Sequence, residues 1–160
     1  MKRIKYWGSL VLLLATTITC VKHQRCSVDI PEECWTLLAS DVTATVYHAV
    51  PAQCNADCLH TASMMTVVPQ SIPTQRILAM ERTMMAQYGI SYGDIVRIEG
   101  TDIYDGAWQV QDTMNKRFAG QHKVDLLIRV GDKTGKWSNV SVYVAADKLT
   151  ADRYASQMKI

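Results

Sequence analysis

The stretch from Gly93 to Leu127 constrains the fold most, because it places three short apolar segments between turns that contain glycine. Ile95 to Ile98 is the first segment, and Gly100 ends it. Trp108 to Asp112 is the second, and its apolar residues alternate with glutamines. Lys123 to Ile128 is the third. Alternation with a period of two is typical of a strand with one buried face, so this stretch predicts three short strands.

The rest of the chain shows the same pattern of short apolar segments between turns. We expect further strands at residues 42–50, 64–68, 77–80 and 140–144, and Pro51 ends the first of them. Residues 82–88 predict a short helix that ends with Gly89 in the left-handed conformation. Six or seven short strands with one or two short helices predict a mostly β protein, a small closed barrel, because closure removes exposed strand edges.

The charge of the chain gives little reason to expect a nucleic acid partner. The net charge is +2, and part of the positive charge lies at the very start, in Lys2, Arg3 and Lys5. A length of 160 residues is enough for one domain and an N-terminal segment. We therefore expect a single domain at residues 42–145, a tether at 21–41, and a tail at 146–160 that is either helical or frayed.

The first twenty residues have the features of an export signal. A basic start, Met1 to Lys5, precedes the apolar run Leu10 to Ala15, and the apolar stretch is shorter than the roughly 20 residues of a membrane span. The segment ends Thr17-Ile18-Thr19-Cys20, which resembles a bacterial lipoprotein signal whose cysteine becomes lipidated, although Thr19 stands where a smaller residue is usual. The alternative is an uncleaved anchor helix. We expect an exported protein, whether a periplasmic or outer-membrane lipoprotein or a secreted one, that touches a membrane only through this lipid.

The cysteines fit an oxidising compartment. If Cys20 is lipidated, four remain, an even number that predicts the disulfides Cys26–Cys34 and Cys54–Cys58. A metal site made of Cys54, Cys58, His60 and His48 is the alternative, although its spacing matches no established ligand pattern. No cofactor is expected. The segment Cys34 to Leu38 is compatible with a short strand or a turn against the domain.

Two carboxylates lie at the end of one predicted strand and inside another. Asp112 closes the second segment, Asp125 lies within the third, and the basic loop Asn115 to Arg117 lies between them. A charge among apolar residues is costly unless it is paired or its pKa is raised. Such a pair suits acid–base chemistry, but Asp112-Thr113 is also a turn signal, and an ion pair between Asp125 and Arg117 or Lys123 would be structural.

These residues resemble the three-aspartate (3D) domain, a double-psi β-barrel that also occurs in membrane-bound lytic transglycosylase A, rare-lipoprotein-A-like proteins and expansins. The resemblance covers roughly Val42 to Val144. Asp112-Thr113 followed by Val124-Asp125 is its most specific part. The small 3D-like proteins of Bacteroidetes and their phages look most similar, because they carry the form Asp-Thr-Met-Asn-Lys-Arg, which here spans residues 112–117. The resemblance implies a six-stranded double-psi barrel.

The chain departs from the family pattern at two places. Glu81 stands where the family has its first aspartate, and Met114-Asn115 replaces the usual double glycine after Asp-Thr. Two of the three acids of the family are therefore present, and the third is a longer acid whose geometry can differ.

The resemblance implies an enzyme that cleaves peptidoglycan, or a related glycan, by the lytic transglycosylase reaction. Asp125 would be the acid and base, Asp112 its charged partner, and Glu81 a third member of the cluster. The side chains expected to bind sugar hydroxyls, acetamido groups or peptide carboxylates, or to form the groove wall, are Tyr47, Thr61, Trp108, Asn115, Arg117 and Lys123. Trp108 suits the core equally well. The alternatives are a barrel that binds glycans without cleaving them, as expansin-type domains do, and an envelope lipoprotein with a structural role.

Overall fold

The computed structural model describes residues 34–54 and 57–158. Six strands form a closed barrel: β1 (Trp35–Tyr47), β2 (Ile77–Met80), β3 (Ile95–Glu99), β4 (Gly106–Thr113), β5 (Lys123–Leu127) and β6 (Lys136–Ala145). Within these described residues the α-helices are α1 (Ile72–Gln75), α2 (Arg82–Tyr88) and α3 (Lys148–Gln157), and 3-10 turns lie at Pro69–Ser71 and Lys116–Phe118. The expectation of a small, mostly β, six-stranded barrel is confirmed.

The strands follow the order β1-β5-β2-β4-β3-β6, and β6 closes the ring on β1. The pairs β1/β5 and β2/β4 are parallel, and the other four pairs are antiparallel. This mixed, closed arrangement is compatible with a double-psi barrel. It places β2 between β4 and β5, which follow each other in the sequence.

The barrel is filled by the inward residues of all six strands. Val42 and Ala44 of β1 alternate with outward residues and are fully buried, as are Val140 and Val142 of β6. The core also contains Leu78, Met80, Val96, Ile98, Val110, Val124 and Leu126. Period-two alternation in the sequence therefore identified the core faces correctly.

The first strand is longer and less regular than the sequence indicates. β1 begins at Trp35, so the segment that was compatible with a strand or a turn is a strand. Its pairing with β6 has three register irregularities, and Asp41 has a φ of 58°. Such irregularities bend a strand, which allows one long β1 to pair with both β6 and β5.

Two further sequence predictions need correction or completion. Residues 64–68 do not form a strand, and only an isolated bridge between His60 and Thr66 remains there. Residues 148–157 form the helix α3, and Met158 and Tyr154 pack against a cluster that contains Trp35 and Ile95. The predicted helix at 82–88 is confirmed, as is the left-handed Gly89 that ends it, with a φ of 67°.

Candidate active site

Asp112 and Asp125 lie in one row across three neighbouring strands. Ala79 of β2 is opposite Asp112 of β4 on one side and opposite Asp125 of β5 on the other. Residues that face each other across a strand pair point to the same side of the sheet, so both carboxylates project from one face. Their Cα positions are two strand spacings apart, roughly 9–10 Å. Because Ala79 carries only a methyl group, it leaves the space between the two acids open.

The backbone is irregular at the point where this row forms. The pairing of β2 with β4 shifts register between Leu78 and Ala79. A bulge of this kind changes the direction in which the next side chains project, and bulges are frequent beside active sites. The shift places Asp112, instead of Gln111, opposite Ala79.

Asp125 is partly buried and is held by one hydroxyl group. Its Oδ1 accepts a hydrogen bond of 2.9 Å from Oγ1 of Thr45, the residue opposite it on β1. Burial raises the pKa of Asp125 to about 6; the bond from Thr45 and the charge of Lys123 oppose this rise, and the charge of Asp112 adds to it. Asp125 therefore keeps a substantial protonated fraction in mildly acidic solution.

Asp112 is surrounded by hydrogen-bond donors. Its Oδ1 accepts from the backbone N–H groups of Ala62, at 3.0 Å, and Thr113, at 2.8 Å. Its Oδ2 accepts from the phenol of Tyr47 at 3.2 Å. Donors on both oxygens are the environment that a carboxylate requires, so these contacts fit an Asp112 that carries the negative charge of the pair.

Tyr47 connects the two acids to the wall of the site. Burial raises its pKa well above the ordinary value of 10.0, and the charge of Asp112, the hydrogen bond to Asp112 and the charge of Asp125 raise it further. The phenol therefore stays protonated and acts as a donor toward Asp112 at any physiological pH.

The row opens into the main groove, a cavity of about 990 Å³ at the surface of the barrel. Both aspartates line it, and so do Tyr47 and Leu127. One wall is the loop that contains His60 and Thr61, and the other is the segment from Thr113 to Phe118. A groove of this size has room for a ligand of several rings.

Three other residues predicted for the site lie in the main groove. Thr61 is buried in its wall, and its hydroxyl is hydrogen-bonded to Ser63 at 2.9 Å. Asn115 and Arg117 are exposed at its rim, and the side-chain oxygen of Asn115 accepts from the backbone N–H of Arg117. The guanidinium of Arg117 forms no ion pair within the part of the chain that the structure describes.

Glu81 does not line the main groove and is 1% exposed, and its predicted role beside the two aspartates stays a prediction. Its side chain caps the N-terminus of α2, where Oε1 accepts from the N–H of Thr83 and Oε2 from the N–H of Met84. Burial alone would raise the pKa of Glu81, but the hydrogen bonds, those from Thr83 first, lower it below its ordinary value. The longer acid has a structural role as a helix cap.

Trp108 and Lys123 also lie outside the main groove. Trp108 is a core residue, only 3% exposed, and its ring N–H donates to the carbonyl oxygen of Tyr104 at 2.8 Å. The guanidinium of Arg76, which the sequence did not single out, lies over the ring of Trp108, 4.2 Å from its centre. The ammonium group of Lys123 lies 4.3 Å from the ring centre of Phe118. Trp108 is therefore not available to stack on a sugar.

Neither aspartate has only the structural role, in an ion pair or a turn, that its sequence position allows. Asp125 forms no ion pair with Arg117 or Lys123 in the described residues, so the interpretation of Asp125 as half of a structural ion pair is wrong. Asp112 and Thr113 both belong to strand β4, and Asp112 accepts hydrogen bonds from Tyr47 and Ala62, in distant parts of the chain, besides the N–H of Thr113. A turn would not require the contacts with Tyr47 and Ala62.

The cysteines lie beside the main groove. Cys54 and Cys58 both line it and have the thiol form; burial, followed by a hydrogen bond with Cys58, raises the pKa of Cys54 to about 11. Cys34 is also a thiol. Its predicted partner Cys26, and Cys20, fall outside the described residues, as does the export signal. The two disulfides remain predictions.

The metal site proposed as an alternative does not form. Within residues 34–54 and 57–158, no group of three or more His, Cys, Asp or Glu side chains is arranged to hold a metal ion. His60 instead contacts the carboxylate of Asp57 at 2.6 Å, and His48 contacts Gln53 at 3.3 Å.

Sequence reasoning missed three groups that build the site. Thr45 supplies the hydroxyl to Asp125, Ala79 spaces the two acids, and Ala62 supplies a backbone donor. The alternation of β1 placed Thr45 on its outward face, but no sequence signal gives the register that pairs it with Asp125. Only the closed barrel brings these positions together.

The chain has no match among protein-family models, and no curated protein is significantly similar to it. No helix within the described residues combines the length and the apolar character of a membrane span. The assignment of a function therefore depends on the geometry of the site and on the resemblance of the motifs Asp112-Thr113 and Val124-Asp125.

Proposed function

We propose that the protein is an exported, peptidoglycan-active enzyme of the lytic transglycosylase type and a member of the 3D-domain proteins. The observation that carries the proposal is the pair of aspartates, held on the two sides of Ala79 on one face of the barrel, at an open groove, in unlike environments. Asp125 is partly buried and has a pKa of about 6, whereas Asp112 accepts three hydrogen bonds. Two acids whose environments differ in this way divide the work of acid and charge stabiliser.

The reaction needs one group that first gives and then takes a proton. Protonated Asp125 donates its proton to the glycosidic oxygen between N-acetylmuramic acid and N-acetylglucosamine. The bond between this oxygen and C1 of the muramic acid then breaks. The resulting carboxylate then takes the proton of the C6 hydroxyl of the muramic acid, while the C6 oxygen attacks C1 of the same sugar. A 1,6-anhydro ring forms, no water is consumed, and Asp125 regains its proton.

Asp112 has the complementary role in this scheme. Positive charge develops on the ring oxygen and C1 as the bond breaks, and a fixed carboxylate nearby stabilises it. The phenol of Tyr47 and the N–H groups of Ala62 and Thr113 hold Asp112 in place, so the charge does not have to be reoriented during the reaction.

The rim of the main groove suits an acidic, amide-bearing glycan. Arg82, Lys116 and Arg117 are exposed and line one side of it. None of these cations forms an ion pair in the part of the chain that the structure describes. Peptidoglycan offers peptide carboxylates for such cations and acetamido groups for Asn115 and Thr61.

A barrel that binds glycan without cleaving it is the second candidate. The observation that favours it is the position of Glu81, because the third acid of the family caps a helix here and is 1% exposed. If that acid is needed for cleavage, the main groove would still bind glycan through its rim.

The experiment that tests the proposal is the release of anhydro-muropeptides from purified peptidoglycan by the chain without residues 1–20. Asp125→Asn removes the proton donor with almost no change of shape. Asp102→Asn is the matched control, because Asp102 is exposed, lies outside the groove, and has a φ of 61° that asparagine also adopts.

The outcomes separate the two candidates. Anhydro products from the parent and from Asp102→Asn, lost in Asp125→Asn, are the expected result. Sedimentation with insoluble peptidoglycan but no soluble product would favour the binding barrel. If the parent neither releases soluble products nor sediments with peptidoglycan, the proposal that it acts on peptidoglycan is refuted.

A further inference from the structure

A second, shallower cleft lies beside the main groove. It has a volume of about 400 Å³ and forms between α2 and the loop that follows it. Met85, Ile90 and Tyr92 are among its lining residues, so most of its wall is apolar.

The two cavities adjoin each other along one edge. Arg82, the first residue of α2, and Thr113, the last residue of β4, line both of them. Thr113 directly follows Asp112, so the second cleft begins next to the pair of aspartates. A linear ligand that crosses Asp125 and Asp112 toward Thr113 would continue into this cleft.

The side chains of the second cleft have the chemistry of a sugar subsite. Tyr92 is 42% exposed, although it is a large aromatic residue, and its ring is accessible to a ligand. The apolar face of a pyranose ring can pack against an exposed aromatic ring. Arg82 supplies donors for hydroxyl and carbonyl oxygens, and it forms no ion pair in the described residues.

We propose that this cleft is a further binding subsite for the glycan chain, in which one sugar stacks on Tyr92 and is held by Arg82. The inference depends on the proposed function, because the ligand is the continuation of the same glycan. It adds that the protein binds several consecutive sugars, and that long chains bind more tightly than short ones.

The test is calorimetric titration of the full chain carrying Asp125→Asn, which prevents cleavage. The probes are a disaccharide and a hexasaccharide of peptide-free peptidoglycan glycan; the former fits the main groove, and the latter is long enough to reach Tyr92. Tyr92→Ala, Tyr92→Phe and Ile103→Ala are compared in this background. Ile103 is 52% exposed and lines neither cavity, so it controls for the loss of an exposed apolar side chain.

We expect Tyr92→Ala to weaken binding of the hexasaccharide by about tenfold, ~1.4 kcal/mol, and to leave the disaccharide unchanged. Tyr92→Phe and Ile103→Ala should bind both probes like the parent. Equal affinity of Tyr92→Ala and the parent for the hexasaccharide would overturn the subsite and leave the main groove standing. If the chain that carries Asp125→Asn alone binds neither probe, both the glycan-binding function and the subsite are overturned.

Discussion

Asp125→Asn is expected to stabilise the folded protein near neutral pH. The pKa of Asp125 is raised from its ordinary value of 3.8 to about 6, so the folded chain binds this proton more tightly than the unfolded chain. Stability therefore falls as pH rises between these two values, and the penalty is complete above the higher one. Each pKa unit corresponds to ~1.4 kcal/mol, so the full penalty is about 3 kcal/mol.

Asparagine removes this penalty and keeps most of the contacts. Its side-chain oxygen can still accept the hydrogen bond from Thr45, and it carries no charge to be repelled by Asp112. Asp125→Asn should therefore be more stable than the parent by up to about 3 kcal/mol at neutral pH, and equally stable well below the ordinary pKa of Asp125. The gain is the stability that the parent gives up to hold an ionisable acid in the site.

The assay is urea-induced unfolding of the parent, Asp125→Asn and the control Asp102→Asn over a series of pH values. The urea midpoint of Asp125→Asn should separate from that of the parent as pH rises toward about 6, with unchanged slopes. Equal stability of parent and Asp125→Asn near neutral pH would refute the raised pKa. A difference of the same size at low pH would show that the effect comes from packing instead of charge.

Three further predictions follow from individual contacts. Initial rates of anhydro-muropeptide release should fall about tenfold per pH unit above about pH 6, because only protonated Asp125 can donate; a rate independent of pH between about 5 and 8 would contradict this. Glu81→Ala should destabilise the protein by about 1–2 kcal/mol in urea unfolding, because it removes the cap of α2, while the product pattern stays the same; loss of activity in a fully folded variant would assign Glu81 to catalysis. Gly89→Ala should cost about 1–2 kcal/mol in the same assay from its left-handed φ of 67° alone, because an added Cβ meets no atom within 4 Å; a neutral effect would refute strain at this cap.

The sequence predicts the type and place of most elements, but not how they pair. Alternation identified the core faces of β1 and β6, and Gly89 marked the end of α2, because these features depend on near neighbours. Strand 64–68 was wrong because Met65 and Val67 pack in a cluster with Ile72 and Ile77 without forming a ladder, while Met64 and Val68 are exposed. Local alternation cannot distinguish these two cases.

The candidate site shows the same division. Asp112 and Asp125 were recognised because a charge at or within an apolar strand needs an explanation. Their neighbours depend on register: Ala79 separates them and Thr45 binds Asp125 only because β5 lies between β1 and β2 in the barrel. The helix cap formed by Glu81 was not recognised, because a carboxylate before a helix suits a cap and a catalytic acid equally well. The hydrogen bonds from the N–H groups of Thr83 and Met84 show that it caps α2.

The central claim is that Asp125 carries a proton close to neutral pH beside Asp112. NMR titration of the side-chain carboxyl carbons, with Asp125→Asn to assign the signal, measures this directly. A signal that titrates near pH 6 and is missing in Asp125→Asn is the result we predict. A titration of Asp125 near its ordinary value of 3.8 would leave the site without a proton donor and would contradict the proposed mechanism.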